Sequence, residues 1–138
     1  MYKCKVFPYP ITSKRPTQVM PAAYEFIKNW QAECPGPHPY VLVKCFGEPL
    51  RKVYLNAGFR HVDTKRYVPN IARRYRLLPC VKELLEESED PPILTRDGNL
   101  MLEGKAPTKE RFRVIIGSGR IEDGCQTYRL ITFYPVTE

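Results

Sequence analysis

Near neutral pH, general acid–base chemistry in this chain comes down to two histidines, and only His61 lies among cations. It sits in Gly58-Phe-Arg-His-Val-Asp-Thr-Lys-Arg66, beside Arg60, Asp63, Lys65 and Arg66. His38 lies between Pro37 and Pro39 and reads as a structural or exposed loop residue. A histidine flanked by lysine and arginine can move a proton while its neighbours hold a phosphate. RNA cleavage through the 2′-hydroxyl asks for little more. One group removes the 2′ proton, another protonates the leaving 5′ oxygen, and cations stabilise the pentacoordinate phosphate. No metal, cofactor or protein nucleophile is required. An isolated histidine is usually non-catalytic, and the surrounding cations set this one apart.

Other chemistries lack their residues. The chain has no nucleophile elbow, phosphate-binding Walker loop, dinucleotide fingerprint or HExxH helix. Gly117-Ser-Gly119 precedes no Lys-Ser/Thr pair, so it is not a phosphate loop. Cys34-Pro-Gly-Pro-His38 offers two zinc-type donors, but no second pair follows at ligand spacing, and no metal site is expected. Five scattered cysteines, an odd number, read as free thiols in a reducing compartment. That favours the cytoplasm of its own cell, or of a target or host cell. No apolar run reaches the ~18 residues of a membrane span, and Met1-Tyr-Lys-Cys-Lys5 lacks a secretory pattern.

The net charge of +7 is unevenly placed. Residues 1–76 hold 14 Lys/Arg against 4 Asp/Glu, and residues 77–138 hold 8 against 11, so the first part carries +10 and the second −3. Density peaks over residues 51–76, where eight Lys/Arg face one acid, Asp63. Solvation of an exposed helix explains most charge runs. Here the self-repulsion favours an anionic partner, because Lys and Arg displace counterions from phosphates. The acidic stretch 83–90 is a rival partner within the chain.

These residues must be positioned by a chain of 138 residues, enough for one domain. A short strand is expected over 2–7. Tyr24, Ile27 and Trp30, with Ala23 and Phe26, recur at helical spacing, predicting a helix over 17–33. A Pro/Gly loop leads to an apolar strand over 40–46, returning over 51–56, with Gly58 breaking regular structure. Helical patterns follow over 69–78 and from Pro79, the second ended by its acidic stretch and Pro91-Pro92. Strands are expected over 93–95, 100–102, 111–116 and 128–134, with a hairpin turn at Asp97-Gly98. Gly117, Gly119 and Asp123-Gly124 are read as the loop between the last two. Helices before strands imply an α+β domain. Its expected form is helices followed by a roughly four-stranded antiparallel sheet (residues 40–138), with a helical amino-terminal extension over 1–39.

Phe59-Arg-His61 with Lys65-Arg66, Leu77-Leu-Pro-Cys-Val-Lys-Glu-Leu-Leu85, Glu110-Arg-Phe-Arg-Val-Ile-Ile116 and Leu130-Ile-Thr-Phe-Tyr-Pro135 occur in that order. Over about residues 40–136 the chain thereby resembles phage-type nucleases of the barnase–EndoU–colicin–RelE (BECR) superfamily. The resemblance implies helices before a four-stranded antiparallel sheet and a catalytic set of His61, Lys65, Thr132 and Tyr134. In it His61 would be the general base or acid, and Arg60, Lys65 or Arg66 would hold phosphate. Thr132 and Tyr134 would close the site with their hydroxyls, with Lys105 and Arg113 contributing from preceding strands. Read alone, Thr132 and Tyr134 are strand formers, Lys105 a loop charge, and Arg111 and Arg113 the exposed side of a strand.

The expectation is a metal-independent endoribonuclease, a toxin or phage effector, with RNA (tRNA included) as substrate and a cognate inhibitor protein as partner. Its nucleic-acid contacts would be Arg60, Arg66, Arg73, Arg74, Arg76, Lys105 and Arg113. The alternatives are a non-catalytic nucleic-acid-binding module and a phage accessory protein that binds an acidic host protein.

Overall fold

Ala23, Ile27 and Trp30 are buried along one face of α1 (Val19–Ala32), as their spacing dictates. In this computed structural model the chain is described at residues 1–9, 19–34, 36, 38–63 and 68–136, with the backbone alone at 19, 60–63 and 68–70. Ahead of α1 lies a two-residue strand, β1 (Tyr2–Lys3). After it, β2 (Tyr40–Val43) and β3 (Arg51–Tyr54) form an antiparallel hairpin in which buried Val41 faces buried Val53.

Three helices follow: α2 (Asn56–Asp63), α3 (Val68–Tyr75) and α4 (Leu78–Glu87). Ile71, Ala72 and Tyr75 are the buried side of α3. Pro79 opens the first turn of α4, where its missing N–H is no loss, and Leu78, Val81, Leu84 and Leu85 line its inner face. The remaining strands are β4 (Ile93–Leu94), β5 (Leu100–Lys105), β6 (Arg111–Glu122) and β7 (Cys125–Pro135). On β5 and β6 burial alternates, at Leu102 and Gly104 and then at Phe112, Val114 and Ile116, while on β7 the buried Leu130 and Phe133 lie three apart, across a register shift. The turn between β6 and β7 is Asp123-Gly124, both at positive φ (50° and 77°), the conformation a tight two-residue hairpin demands.

This overturns the expected layout. Helices do not precede a four-stranded antiparallel sheet; the chain builds a mixed seven-stranded sheet in the order β1-β5-β6-β7-β3-β2, with β4 also on β5. Three of its strands come before α2, and two of its pairings, β1 with β5 and β3 with β7, are parallel. The physical reason is edge satisfaction. β1 and β4 divide the outer edge of β5, and the β2–β3 hairpin docks on β7 only at Tyr128 and Arg129. Register shifts at Ile115/Ile116 and Ser118/Ile121 raise the local twist, and the sheet curls into a half-barrel. The roles carried over with the BECR resemblance lose their positional basis with that layout.

Local corrections accompany it. Gly58 does not break structure; it lies inside α2, and Gly117 and Gly119 lie inside β6. The acidic stretch does not dock on the 51–76 cations through any described contact. Glu83 accepts the Lys5 and Val6 amides, Glu86 pairs with Lys82, Glu87 with Lys44, and Asp90 with the Met1 amino group. Among the described residues no helix is long and apolar enough to cross a membrane.

Candidate nucleic-acid interface

Strand alternation that buries Phe112, Val114 and Phe133 turns their neighbours to the opposite face of the sheet. Register then lines them up in rows. Lys105 faces Arg111, Glu103 faces Arg113, Arg113 faces Tyr134, and Ile115 faces Thr132. All of these side chains are half-buried. Glu103 lies between two guanidiniums, with an oxygen 3.4 Å from Arg113 Nε and another 3.7 Å from an Arg111 Nη. One carboxylate against three cations leaves the face positive.

A fourth cation arrives from outside the sheet. Arg74, in the last turn of α3, donates from Nη1 to Thr132 Oγ1 at 2.9 Å and approaches the Phe133 carbonyl at 3.5 Å. Its guanidinium carbon stands 5.8 Å from the Tyr134 ring centre, within cation–π range. It can do this because β3 pairs with β7 only at Tyr128 and Arg129, leaving the later β7 edge to α2 and α3. Burial pulls the Arg74 guanidinium below its ordinary value, partly offset by Tyr134, and leaves it charged at any physiological pH. Part of its placement is structural, since a cation in the last turn complements the helix dipole.

The structure brings together four of the expected site residues: Arg74, Arg113, Thr132 and Tyr134. Lys105 lies one row away, opposite Arg111. Arg73 is exposed on α3, outside the cluster's hydrogen bonds. Arg76 is a correction: it is buried, with Nη1 bound to both oxygens of Glu110, while its carbonyl accepts the Tyr9 amide at 2.9 Å. It clasps the fold and is not open to a ligand. Arg60 and His61 are on α2, but their side chains lie outside the described residues, as do Lys65 and Arg66 altogether.

Sequence reading passed over Glu103 and left Arg111 as a plain surface charge; the alternation of β5 and β6 is the signal that places both. Chemically the face offers guanidiniums for phosphates, an aromatic ring for stacking a base, and a hydroxyl. Among its described side chains none is a histidine or a cysteine. Among all described residues no three His, Cys, Asp or Glu side chains group as metal ligands would. Compared with protein-family models, with curated proteins and with solved structures, the chain gives no match.

Proposed function

We propose that this chain binds single-stranded RNA on the outward face of β5, β6 and β7, without a cofactor. The observation that carries the reading is the convergence of Arg74 and Arg113 on Tyr134, with Arg111 and Lys105 continuing the positive strip. A tyrosine edged by guanidiniums on an open sheet suits a stacked base with phosphates on either side. Duplex RNA hides its base faces and would use only the cations.

A second reading, a metal-independent endoribonuclease acting where α2 meets the edge of β7, is favoured by the course of α2. Phe59 packs its ring 6.5 Å from Phe133 and accepts the Tyr75 hydroxyl at 3.1 Å, so the helix that carries His61 borders the strand of Thr132 and Tyr134. The 2′-hydroxyl of a bound strand would then be the nucleophile.

The test is fluorescence anisotropy with a short unstructured RNA over a series of salt concentrations. About three to four neutralised phosphates predict a log–log slope of roughly −2 to −3. A flat salt response, or tighter binding of an acidic polypeptide than of RNA, overturns the reading in favour of a protein partner. Incubation with total RNA in excess chelator decides the second reading. Fragments ending in 2′,3′-cyclic phosphate, lost in His61→Ala, support cleavage; intact RNA leaves binding alone.

A further inference from the structure

A cavity of about 340 Å³ opens where β3 meets the far ends of β6 and β7, lined by His38, Tyr54, Arg120, Glu122, Tyr128 and Arg129. None of these residues belongs to the Arg74–Tyr134 cluster. Its aromatic wall, Tyr54, is held in place. The Tyr54 hydroxyl donates to Glu122, at 2.6 Å to Oε2 and 2.9 Å to Oε1, and the Tyr54 ring meets Tyr40 edge-on at 5.9 Å. Tyr128, in register with buried Val53, turns its ring to the other side of the sheet, where it lies flat on Phe46 with ring centres 4.3 Å apart. The Tyr54 ring does not have to be ordered by a ligand, so little entropy opposes binding on that side.

The cations of the cavity are in the opposite condition. Arg120 and Arg129 are exposed, and no described ion pair or side-chain hydrogen bond engages either guanidinium. Arg129 is in register with Tyr54, which brings a free guanidinium to the backbone position beside a fixed ring. Glu122 offsets one of the two positive charges, but its oxygens already hold the Tyr54 hydroxyl. They retain lone pairs that can accept from a ligand hydroxyl or amine.

A fixed ring beside two uncommitted guanidiniums, with a carboxylate and an imidazole at hand, complements a planar base joined to a dianionic phosphate through a hydroxyl-bearing sugar. The volume suits one such unit, and two cations match one phosphate better than the four charges of a triphosphate. We propose that this cavity binds a nucleoside monophosphate unit, whether as a free mononucleotide or as the phosphorylated end of an RNA strand. The proposal stands apart from the open-face reading, because it uses none of the same side chains.

The test is titration of the intact chain with AMP, GMP, CMP and UMP, followed by calorimetry and by backbone amide shifts. Binding of at least one nucleotide in the micromolar to millimolar range, with shifts at Tyr54, Tyr128 and Arg129, is the expected result. The matching nucleoside and inorganic phosphate alone should each bind at least about tenfold more weakly, since each lacks one half of the recognition. Arg129→Ala should cost about tenfold or more in affinity, and Tyr54→Phe a smaller factor; both sites are peripheral to the core, and a melting curve confirms that each variant folds. No shift at the cavity with any of the four nucleotides, equal affinity for phosphate alone, or an Arg129→Ala protein indistinguishable from the parent overturns the proposal. A short RNA with a terminal phosphate that binds more tightly than the mononucleotide, at the same amides, identifies a strand end as the source. Preference for the mononucleotide identifies the free ligand. Amides of β5 report the open face separately, so the loss of one kind of binding is not mistaken for the loss of the other.

Discussion

Arg74 Nη1 and Thr132 Oγ1 are joined at 2.9 Å, and this bond carries a helix cation around the edge of β7 onto the open face of the sheet. Replacing Arg74 with Ala removes one phosphate contact. RNA binding should weaken to a similar extent for every sequence, with the salt slope less steep by about 1. Anisotropy titrations at several salt concentrations measure both. An unchanged slope would move the phosphate contacts away from this face. Thr132→Val should lower stability by about 0.5–1.5 kcal/mol in urea unfolding, the usual net worth of such a bond.

Gly58 and Leu130 bring α2 and β7 together more closely than any other residue type would allow. A Cβ on Gly58 would lie 2.4 Å from Leu130 Cγ and 2.6 Å from Cδ2. Gly58→Ala should therefore destabilise by about 1–3 kcal/mol through overpacking. Leu130→Ala alone should lose about 2–5 kcal/mol by leaving a cavity. Combined, the two changes should cost less than their sum, because the new methyl enters the space the leucine left. Strict additivity in urea melts would mean that the contact relaxes freely.

Arg76 and Glu110 form a clasp between the end of α3 and the start of β6. The Arg76 side chain is 11% exposed and that of Glu110 39%, so the pair is only partly shielded from water. Glu110→Ala leaves a largely buried guanidinium without its carboxylate and should cost about 1–3 kcal/mol. At temperatures where this variant remains folded, its RNA salt slope should equal that of the parent. A reduced slope would return Arg76 to the binding surface.

Tyr54 gives a dependence on alkaline pH. Its hydrogen bond to Glu122, with burial and the charge of that carboxylate, pushes its phenol up to about 12 from an ordinary 10. The folded state thus holds the Tyr54 proton more tightly than the unfolded chain does. The corresponding stability is complete below pH 10 and is lost as pH rises toward 12. Parent and Tyr54→Phe proteins should therefore converge in stability over that interval. Urea midpoints as a function of pH measure this, and a constant gap would mean that the phenol titrates alike in both states.

The cysteines should divide by burial. Cys4, Cys45 and Cys80 are buried, while Cys34 and Cys125 are half-exposed. Burial pushes the Cys45 thiol up to about 11, suppressing the reactive thiolate. A thiol-specific reagent should modify Cys34 and Cys125 in the native protein and reach the other three only on unfolding. Mass spectrometry of the labelled peptides checks the order; rapid native labelling of Cys45 would show local opening around the β2–β3 hairpin.

Local pattern determined much of this molecule. Apolar spacing placed α1 within a residue or two of its ends, and the strand expected over 40–46 starts where expected but ends at Val43, while the Pro79 helix start and the Asp97-Gly98 turn correspond to observed features. These signals are short-range: helical periodicity, strand alternation and turn chemistry depend on residues a few positions apart. The excess of cations in the first part of the chain is likewise a property of the sequence alone. Tertiary structure decided what those elements do. Pairing β1 with β5 and β3 with β7 joins segments far apart in the chain, and no local pattern encodes which edge a strand will meet. The same holds for side chains. Of three arginines within four residues, Arg73 faces solvent, Arg74 reaches Thr132, and Arg76 is buried on Glu110, because each points in a different direction from one short helix and its end. Charge was written in the sequence; which charges remain open to a ligand was settled by the packing around them.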